Sequence, residues 1–196
     1  MSFYSEDFDE NGTCDIVLSK EYKGKLVPTR GRQCSSEQMP FIADKFPSYN
    51  LFASAGVEDI FSKEKLESSL HLQVKDFESK TLLNNGNGTY TAASLPRLAQ
   101  MAPINGMIPI DINGDGNMDL ICAGNMYETE VETPRYDAGT GLVMLGDGKG
   151  GLTPMRPDQS GFFTPKNVKN IALLKRAKDR LIVVANNDGP LQFFAF

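Results

Sequence analysis

The chain has no tryptophan, one histidine and three cysteines, and these shortages narrow the range of sites it can form. Cys14, Cys34 and Cys122 show no C-x-x-C spacing, so no zinc site is indicated. Their odd number leaves two alternatives, either one disulfide with one free thiol or three reduced thiols. His71 lies between two leucines, and we expect it to be a surface residue of a strand or helix and not a catalytic base.

Basic residues and long apolar runs are also scarce. Lys and Arg number 20 against 25 Asp and Glu, which gives a net charge of −5. A nucleic-acid partner is therefore not expected, whereas a cation is. No apolar stretch approaches the roughly 20 residues of a membrane helix, so no membrane span is expected. The first residues lack the basic start and apolar run of a signal peptide, and none is expected in the given chain.

The residues that are abundant favour an all-β protein. Hydrophobic residues make up 40% of the chain, which is enough for a sizeable core, and 18 glycines and 11 prolines are spread along it. Such a composition is typical of short strands joined by many turns.

Two acidic segments repeat the same pattern. "DFDENGTCD" spans residues 7–15 and "DINGDGNMD" spans residues 111–119, and an apolar pair follows each. Oxygen donors at positions one, three, five and nine, a backbone carbonyl at position seven, and a glycine after position five suit a calcium ion. The predicted ligands are Asp111, Asn113, Asp115, Asn117 and Asp119 in the second loop, and Asp7, Asp9, Asn11, Thr13 and Asp15 in the first.

Plain turns and an EF-hand are the alternatives to these calcium sites. Asp, Asn and Gly favour turns without any metal, but two matching copies favour a shared function. An EF-hand requires a glutamate at position twelve, where the second loop has Cys122, and flanking helices, which the sequence does not indicate. We expect one or two calcium ions, with stronger binding at 111–119 because Glu10 and Asn11 depart from the pattern in the first loop.

A second element also recurs. "LLNNGNGTYT" at 82–91 and "MLGDGKGGLT" at 144–153 each lead from an apolar strand through a glycine-rich turn into another strand. An acidic loop followed by such a glycine hairpin resembles the FG-GAP or VCBS repeat of integrin-α-like β-propellers. The resemblance implies blades of four antiparallel strands, calcium in a hairpin loop, and an extracellular, cell-surface or periplasmic location.

The resemblance predicts a partial β-propeller of about three blades in a single segment, residues 1–196. Blade 1 covers about 1–95 with a helical insertion at 31–72, in which Ser36 is expected to cap a helix. Blade 2 covers about 104–156 and blade 3 about 160–196. Closed propellers have about four to eight blades. We therefore expect upstream blades in a longer chain, whose C-terminal part this is, an oligomer that completes the ring, or the helices as a cap.

The expected function is non-enzymatic recognition of a protein or glycan, or scaffolding. The exposed loop 126–141 offers Tyr127, Arg135 and Tyr136 as partner-binding residues, because aromatic and guanidinium groups dominate recognition surfaces. The alternative for this loop is that it packs on its own blade with Arg135 paired to Asp137. The alternative function is the propeller portion of a carbohydrate-active enzyme, a lyase or hydrolase.

Overall fold

The computed structural model describes residues 1–130, 133–176 and 179–196. Val131 and Glu132, in the predicted recognition loop, and Ala177 and Lys178, in predicted blade 3, lie outside the described residues. The described residues are mostly β, with four antiparallel sheets and short helices, in agreement with the expected all-β class. They divide into two compact units, residues 1–77 and 78–196.

The first unit contains a four-stranded antiparallel sheet. Its strands, in the spatial order β3-β2-β1-β4, are β1 (Ser2–Glu6), β2 (Asp15–Tyr22), β3 (Lys25–Pro28) and β4 (Leu70–Gln73). Alternation along the strands places Tyr4 and Val17 in the core while Ile16 stays exposed. His71 lies on the surface of edge strand β4, as expected, and stacks on the ring of Tyr4. The first acidic loop is the β1–β2 connection.

Short helices form the remainder of the first unit. They are α1 (Arg32–Gln38), α2 (Phe41–Lys45), α3 (Tyr49–Ser54), α4 (Val57–Ile60) and α5 (Lys63–Ser68). The predicted insertion at 31–72 is therefore helical only as far as Ser68, and its last residues belong to β4. The apolar side chains of these helices share one core cluster with Tyr4 and Val17 of the sheet and Phe8 of the first acidic loop.

Ser36 is not the helix cap that the sequence suggests. It lies inside α1, where its hydroxyl donates a hydrogen bond to the carbonyl of Arg32 at 2.7 Å. The apolar residues Phe41 and Ile42 belong to the separate helix α2, because Pro40 lies between α1 and α2. The side chains that do cap helices here are Ser48, which accepts from the N–H of Leu51, and Ser62, which accepts from that of Lys65.

The second unit contains three sheets. A hairpin joins β5 (Lys80–Asn84) to β6 (Tyr90–Ser94). A meander in the order β10-β9-β8-β7 follows, with β7 (Gly106–Ile110), β8 (Asp119–Ala123), β9 (Leu142–Gly146) and β10 (Leu152–Pro154). Strands β11 (Val168–Lys175), β12 (Arg180–Asn186) and β13 (Gln192–Ala195) form the last sheet, and a 3₁₀ helix (Arg97–Gln100) and α6 (Pro157–Ser160) lie between sheets.

The four-stranded meander is covered on both faces. Ile121 of β8 and Val143 of β9 pack against Ile182 and Val184 of the last sheet. On the opposite face, Cys122 and Met144 form a cluster with Leu95 and Ala99. A strand buried on both sides reads as a continuous apolar run, which explains why the sequence turns apolar directly after the second acidic loop.

The expected blade boundaries compare with the sheets as follows. The predicted blade at 104–156 coincides with the four-stranded meander. The predicted blade at 160–196 has three strands among its described residues, 160–176 and 179–196. Residues 80–94, assigned by the sequence to the first blade, form a separate hairpin in the second unit. Among the described helices, none has the length and apolar character that crossing a membrane requires.

Candidate functional site

The second acidic loop connects β7 to β8 and is organised by the carboxylate of Asp111. Its two oxygens accept hydrogen bonds from the backbone N–H groups of Gly114 at 2.7 Å and Gly116 at 2.9 Å. The amide oxygen of Asn113 accepts from the N–H of Asp115 at 3.0 Å, and Asp115 accepts from the N–H of Asn117 at 2.7 Å. These contacts fold the oxygen-bearing side chains into one tight turn.

Asp119 closes the second loop from its last position. It is 2% exposed and begins strand β8. One carboxylate oxygen accepts from the N–H of Ile112 at 2.9 Å and the other from the N–H of Gly146 at 2.8 Å. Both oxygens of this buried carboxyl group therefore have partners, as burial of polar atoms requires.

The first loop repeats several of these hydrogen bonds at matching positions, although the second bond to its first aspartate comes from the N–H of Asn11 and not from the fourth residue. Asp7 accepts from the N–H of Gly12 at 2.9 Å, as Asp111 does from Gly116. Asp15, which is 4% exposed, accepts from the N–H of Phe8 at 3.0 Å, as Asp119 does from Ile112. The repeat found in the sequence is thus a repeat of backbone geometry.

Backbone dihedral angles match as well. The sixth residue of each loop has positive φ, +88° at Gly12 and +86° at Gly116. The fourth residue also has positive φ, +78° at Gly114 but +61° at Glu10. A side chain in the left-handed region costs about 1–2 kcal/mol. The first loop therefore keeps the shape of the second in spite of its glutamate.

The carboxylates of the first loop converge. Asp7, Asp9 and Asp15 each present an oxygen within 4.8 Å of the others, and within the described residues this is the one such group of three or more His, Cys, Asp or Glu side chains. Two oxygens bound to one calcium ion at about 2.3–2.6 Å can be no more than about 5 Å apart. The donors are hard oxygens, so this trio fits calcium in both spacing and chemistry.

The two loops differ at positions three and five. At position three the second loop has the amide of Asn113 in place of the carboxylate of Asp9. The backbone N–H of Asn117, and after it the Nδ2 of Asn113, which donates to Asp115 at 3.0 Å, hold the pKa of Asp115 below its usual range. Each loop thus has three carboxylates among its predicted ligands. Besides those at positions one and nine, the second loop has Asp115 at position five, where the first loop has Asn11.

At position seven, Thr13 donates to the amide oxygen of Asn11 through its N–H at 2.8 Å and through its hydroxyl. The N–H of Asn117 makes the matching bond to Asp115. Both predicted position-seven residues thus help to close their turns through side-chain and backbone donors. Their carbonyls as metal ligands remain a prediction.

The glycine hairpin between β9 and β10 supports the second acidic loop. The N–H of Gly146 reaches Asp119, and a Cβ atom at Gly146 would overlap the carbonyl oxygen of Met118. A Cβ atom at Gly148 would likewise overlap the amide oxygen of Asn117. The recurrence of glycine after the acidic loop therefore has a steric cause here, since the two turns lie in direct contact.

The predicted recognition residues lie together. The guanidinium of Arg135 stacks over the ring of Tyr127 at 4.3 Å from its centroid and pairs with Asp137 at 2.8 Å, which is the pairing foreseen as the alternative for this loop. The Tyr127 hydroxyl donates to the carbonyl of Pro165 at 3.0 Å. Tyr136 is hydrogen-bonded to Met126 through its backbone, and its side chain is 47% exposed.

Glu128 anchors the same loop and was not foreseen from the sequence. Its carboxylate accepts from Asn167 at 2.6 Å, from Asn187 at 2.7 Å and from the ammonium of Lys169 at 2.6 Å. Lys169 above all holds the pKa of Glu128 below its usual range. No local signal reveals this role, because the three partners lie some 40 to 60 positions away along the chain.

The three cysteines lie in different elements, Cys14 in the first acidic loop, Cys34 in α1 and Cys122 in β8. Cys14, Cys34 and Cys122 are all reduced thiols. Cys122 is buried in the second unit, and burial raises its pKa to about 11, so the thiol stays protonated at neutral pH. The structure therefore selects the second of the two alternatives for cysteine, three reduced thiols.

No family profile, curated protein or solved structure matches this chain.

Proposed function

We propose that each acidic loop binds a calcium ion with a structural role, and that the chain is part of an FG-GAP/VCBS-like β-propeller that serves recognition or scaffolding. The observation that carries the proposal is the set of hydrogen bonds that the two loops have in common. In both, the first and last aspartates hold matching backbone N–H groups at the head of a strand. Two turns without a shared function would not be expected to have the same contacts at two separate places in the chain.

The charge of the first loop supports a cation. Three carboxylates within 4.8 Å in the first loop repel one another, and a divalent ion between them turns that repulsion into attraction. The hydrogen bonds from the backbone leave further lone pairs on the carboxylate oxygens for a metal. When bound, the ion supplies charge compensation and rigidity to the hairpin, and no catalytic step is assigned to it.

The order of affinities follows from the surroundings of each loop. In the first loop the ammonium of Lys65 lies 3.2 Å from the carboxylate of Glu10 and donates to the carbonyl of Asp7 at 2.7 Å. A positive charge so close disfavours a second cation, and Glu10 adds backbone strain. We therefore propose that calcium binds more strongly at 111–119 than at 7–15.

The sheets support a propeller arrangement. The meander β7–β10 has the four antiparallel strands of a blade. The last sheet covers one of its two faces. The outer face of that last sheet is itself apolar and bears the exposed side chains of Leu174 and Phe193. Such a face is typical of a blade that packs against another sheet.

Calcium removal tests the structural role of the ion. We expect a chelator to lower the melting temperature and calcium to restore it. Asp115→Ala should reduce this response more than Asn11→Ala, because the two residues hold the same position in the two loops and only one is charged. Asp147→Asn is the matched control, since Asp147 caps the turn of the glycine hairpin through the N–H groups of Lys149 and Gly151. A melting curve indifferent to calcium and chelator would contradict the proposal.

The recognition loop supplies the test of function. We propose that Tyr136, with the stacked pair Tyr127 and Arg135, contacts a protein or glycan at the cell surface or in the periplasm. A glycan screen should show binding without cleavage, and Tyr136→Ala should lose it. Tyr90→Ala serves as the control, because Tyr90 is also exposed, at 63%, but lies on β6. Turnover of a polysaccharide would instead favour the carbohydrate-active enzyme.

A further inference from the structure

The buried aspartates that end the two loops are satisfied in different ways. Asp119 accepts from the N–H of Gly146 on the neighbouring strand β9. Asp15 accepts at the corresponding oxygen from the side-chain amide of Gln38, whose Nε2 lies 3.2 Å away. The second hydrogen bond of each aspartate, from Ile112 or Phe8, is the same in both loops. A side chain of α1 thus replaces a backbone group of the glycine hairpin.

Strand register explains why a replacement is needed. In the meander, Leu120 pairs with Met144, so Gly146 of β9 reaches the level of Asp119. In the first sheet, β3 pairs with β2 only between Ser19 and Tyr22, and therefore ends before the level of Asp15. No backbone N–H of β3 is available there. The chain instead turns into α1, whose last residue is Gln38.

We propose that Gln38 is a positioning residue for the first calcium loop, holding the carboxylate of Asp15 in the orientation that Gly146 gives to Asp119. This inference rests on the proposed calcium function. The amide of Gln38 also donates to the carbonyl of Ile16 at 3.4 Å, which fixes which end of the amide faces the carboxylate. Lys65 of α5 holds the opposite end of the loop through the carbonyl of Asp7. The helical insertion thereby contacts the first loop at both ends, through Gln38 and Lys65.

A metal-independent measurement isolates the positioning role. Gln38→Met keeps the length of the side chain but removes its donor. Amide hydrogen exchange, without calcium, should become about tenfold faster at Phe8, whose N–H shares the Asp15 carboxylate, and stay unchanged at Ile112. Gln33→Met is the matched control, because Gln33 lies in the same helix and its amide donates to Glu37. A melting curve for each variant verifies that it is folded.

Calcium titration followed by NMR measures the consequence at each site. The amide resonances of Gly12 and Gly116 report on the first and second loops separately. Gln38→Met should weaken calcium binding at Gly12 by about 10- to 100-fold and leave Gly116 unchanged, as is usual for residues that orient metal ligands. Gln33→Met should change neither.

Three other outcomes have distinct meanings. Unchanged exchange at Phe8 together with unchanged affinity at Gly12 would overturn the positioning role. Equal losses at Gly12 and Gly116 would also overturn it, because the effect would then be global. If calcium moved neither resonance in the unaltered protein, the proposed calcium function would fail, and the exchange rates of Phe8 and Ile112 alone would decide whether Gln38 positions Asp15.

Discussion

At the scale of single residues, the acidic loops show how spacing in the sequence becomes geometry. The turn at each acidic loop could be predicted because the hydrogen bonds within the turn join residues of one nine-residue segment, and the assignment of calcium ligands stays a prediction. Gln38, Gly146 and Glu128 could not be predicted. Each contributes through a partner at least 23 positions away, and only the register of the strands or the docking of a helix brings such partners together.

The contacts of Glu128 with Lys169, Asn167 and Asn187 are expected to depend on pH. Its pKa is lowered in the folded protein, chiefly by Lys169, so its stabilising effect is complete above the unfolded pKa of about 4.3 and is lost as the pH falls through the lower folded value. We expect the side-chain amide resonances of Asn167 and Asn187 to stay constant from pH 7 to pH 5 and to shift only under more acidic conditions. NMR titration measures this.

Glu128→Gln should reproduce the acid state at pH 7, because the neutral amide no longer attracts Lys169. Asp158→Asn is a suitable control, since Asp158 pairs with Arg156 within its own turn and should leave the Asn167 and Asn187 resonances in place. Amide resonances that moved alike in both variants, or that titrated near neutral pH, would show that Glu128 does not anchor the loop.

At the scale of secondary structure, periodicity predicted strands better than helices. The last sheet follows the apolar runs at 168–175 and 180–186 closely. The helical region was recognised, but its division was not, because Pro40 and the caps at Ser48 and Ser62 separate short helices that apolar spacing alone joins together. Pairing of Leu70–Gln73 with β1 is a long-range contact, which local pattern does not reveal.

Two serines in this region allow the element boundaries to be tested. Ser62→Ala should cost about 1 kcal/mol, because the hydroxyl oxygen that accepts from the N–H of Lys65 is lost at the start of α5. Ser36→Ala should be neutral or slightly stabilising, since alanine is the better residue inside a helix and Ser36 bonds only to carbonyls of the preceding turn. Urea unfolding of both variants gives the comparison. Equal costs at the two serines would contradict these assignments.

At the scale of the whole molecule, the chain has separate hydrophobic cores. The cluster around Ile42 lies entirely within residues 1–77, and those around Ile121 and Met144 lie within 78–196. The sequence suggested one continuous segment, because both halves carry the same loop motif. Each unit nevertheless buries its own apolar side chains, which is the physical requirement for folding as a unit.

Separate cores predict separate responses to core mutations. Ile42 and Ile121 are both fully buried, so Ile42→Ala and Ile121→Ala should each cost about 2–5 kcal/mol through lost burial and a residual cavity. Native-state hydrogen exchange should show faster opening of strands β1 and β2 in Ile42→Ala and of β8 and β12 in Ile121→Ala, with the other unit unchanged. Loss of protection in both units from either substitution would mean that the two cores unfold together. In that case calcium bound at one of the two proposed sites would also stabilise the unit that holds the other, whereas in independent units the effect of a bound ion would be confined to its own hairpin and the core behind it.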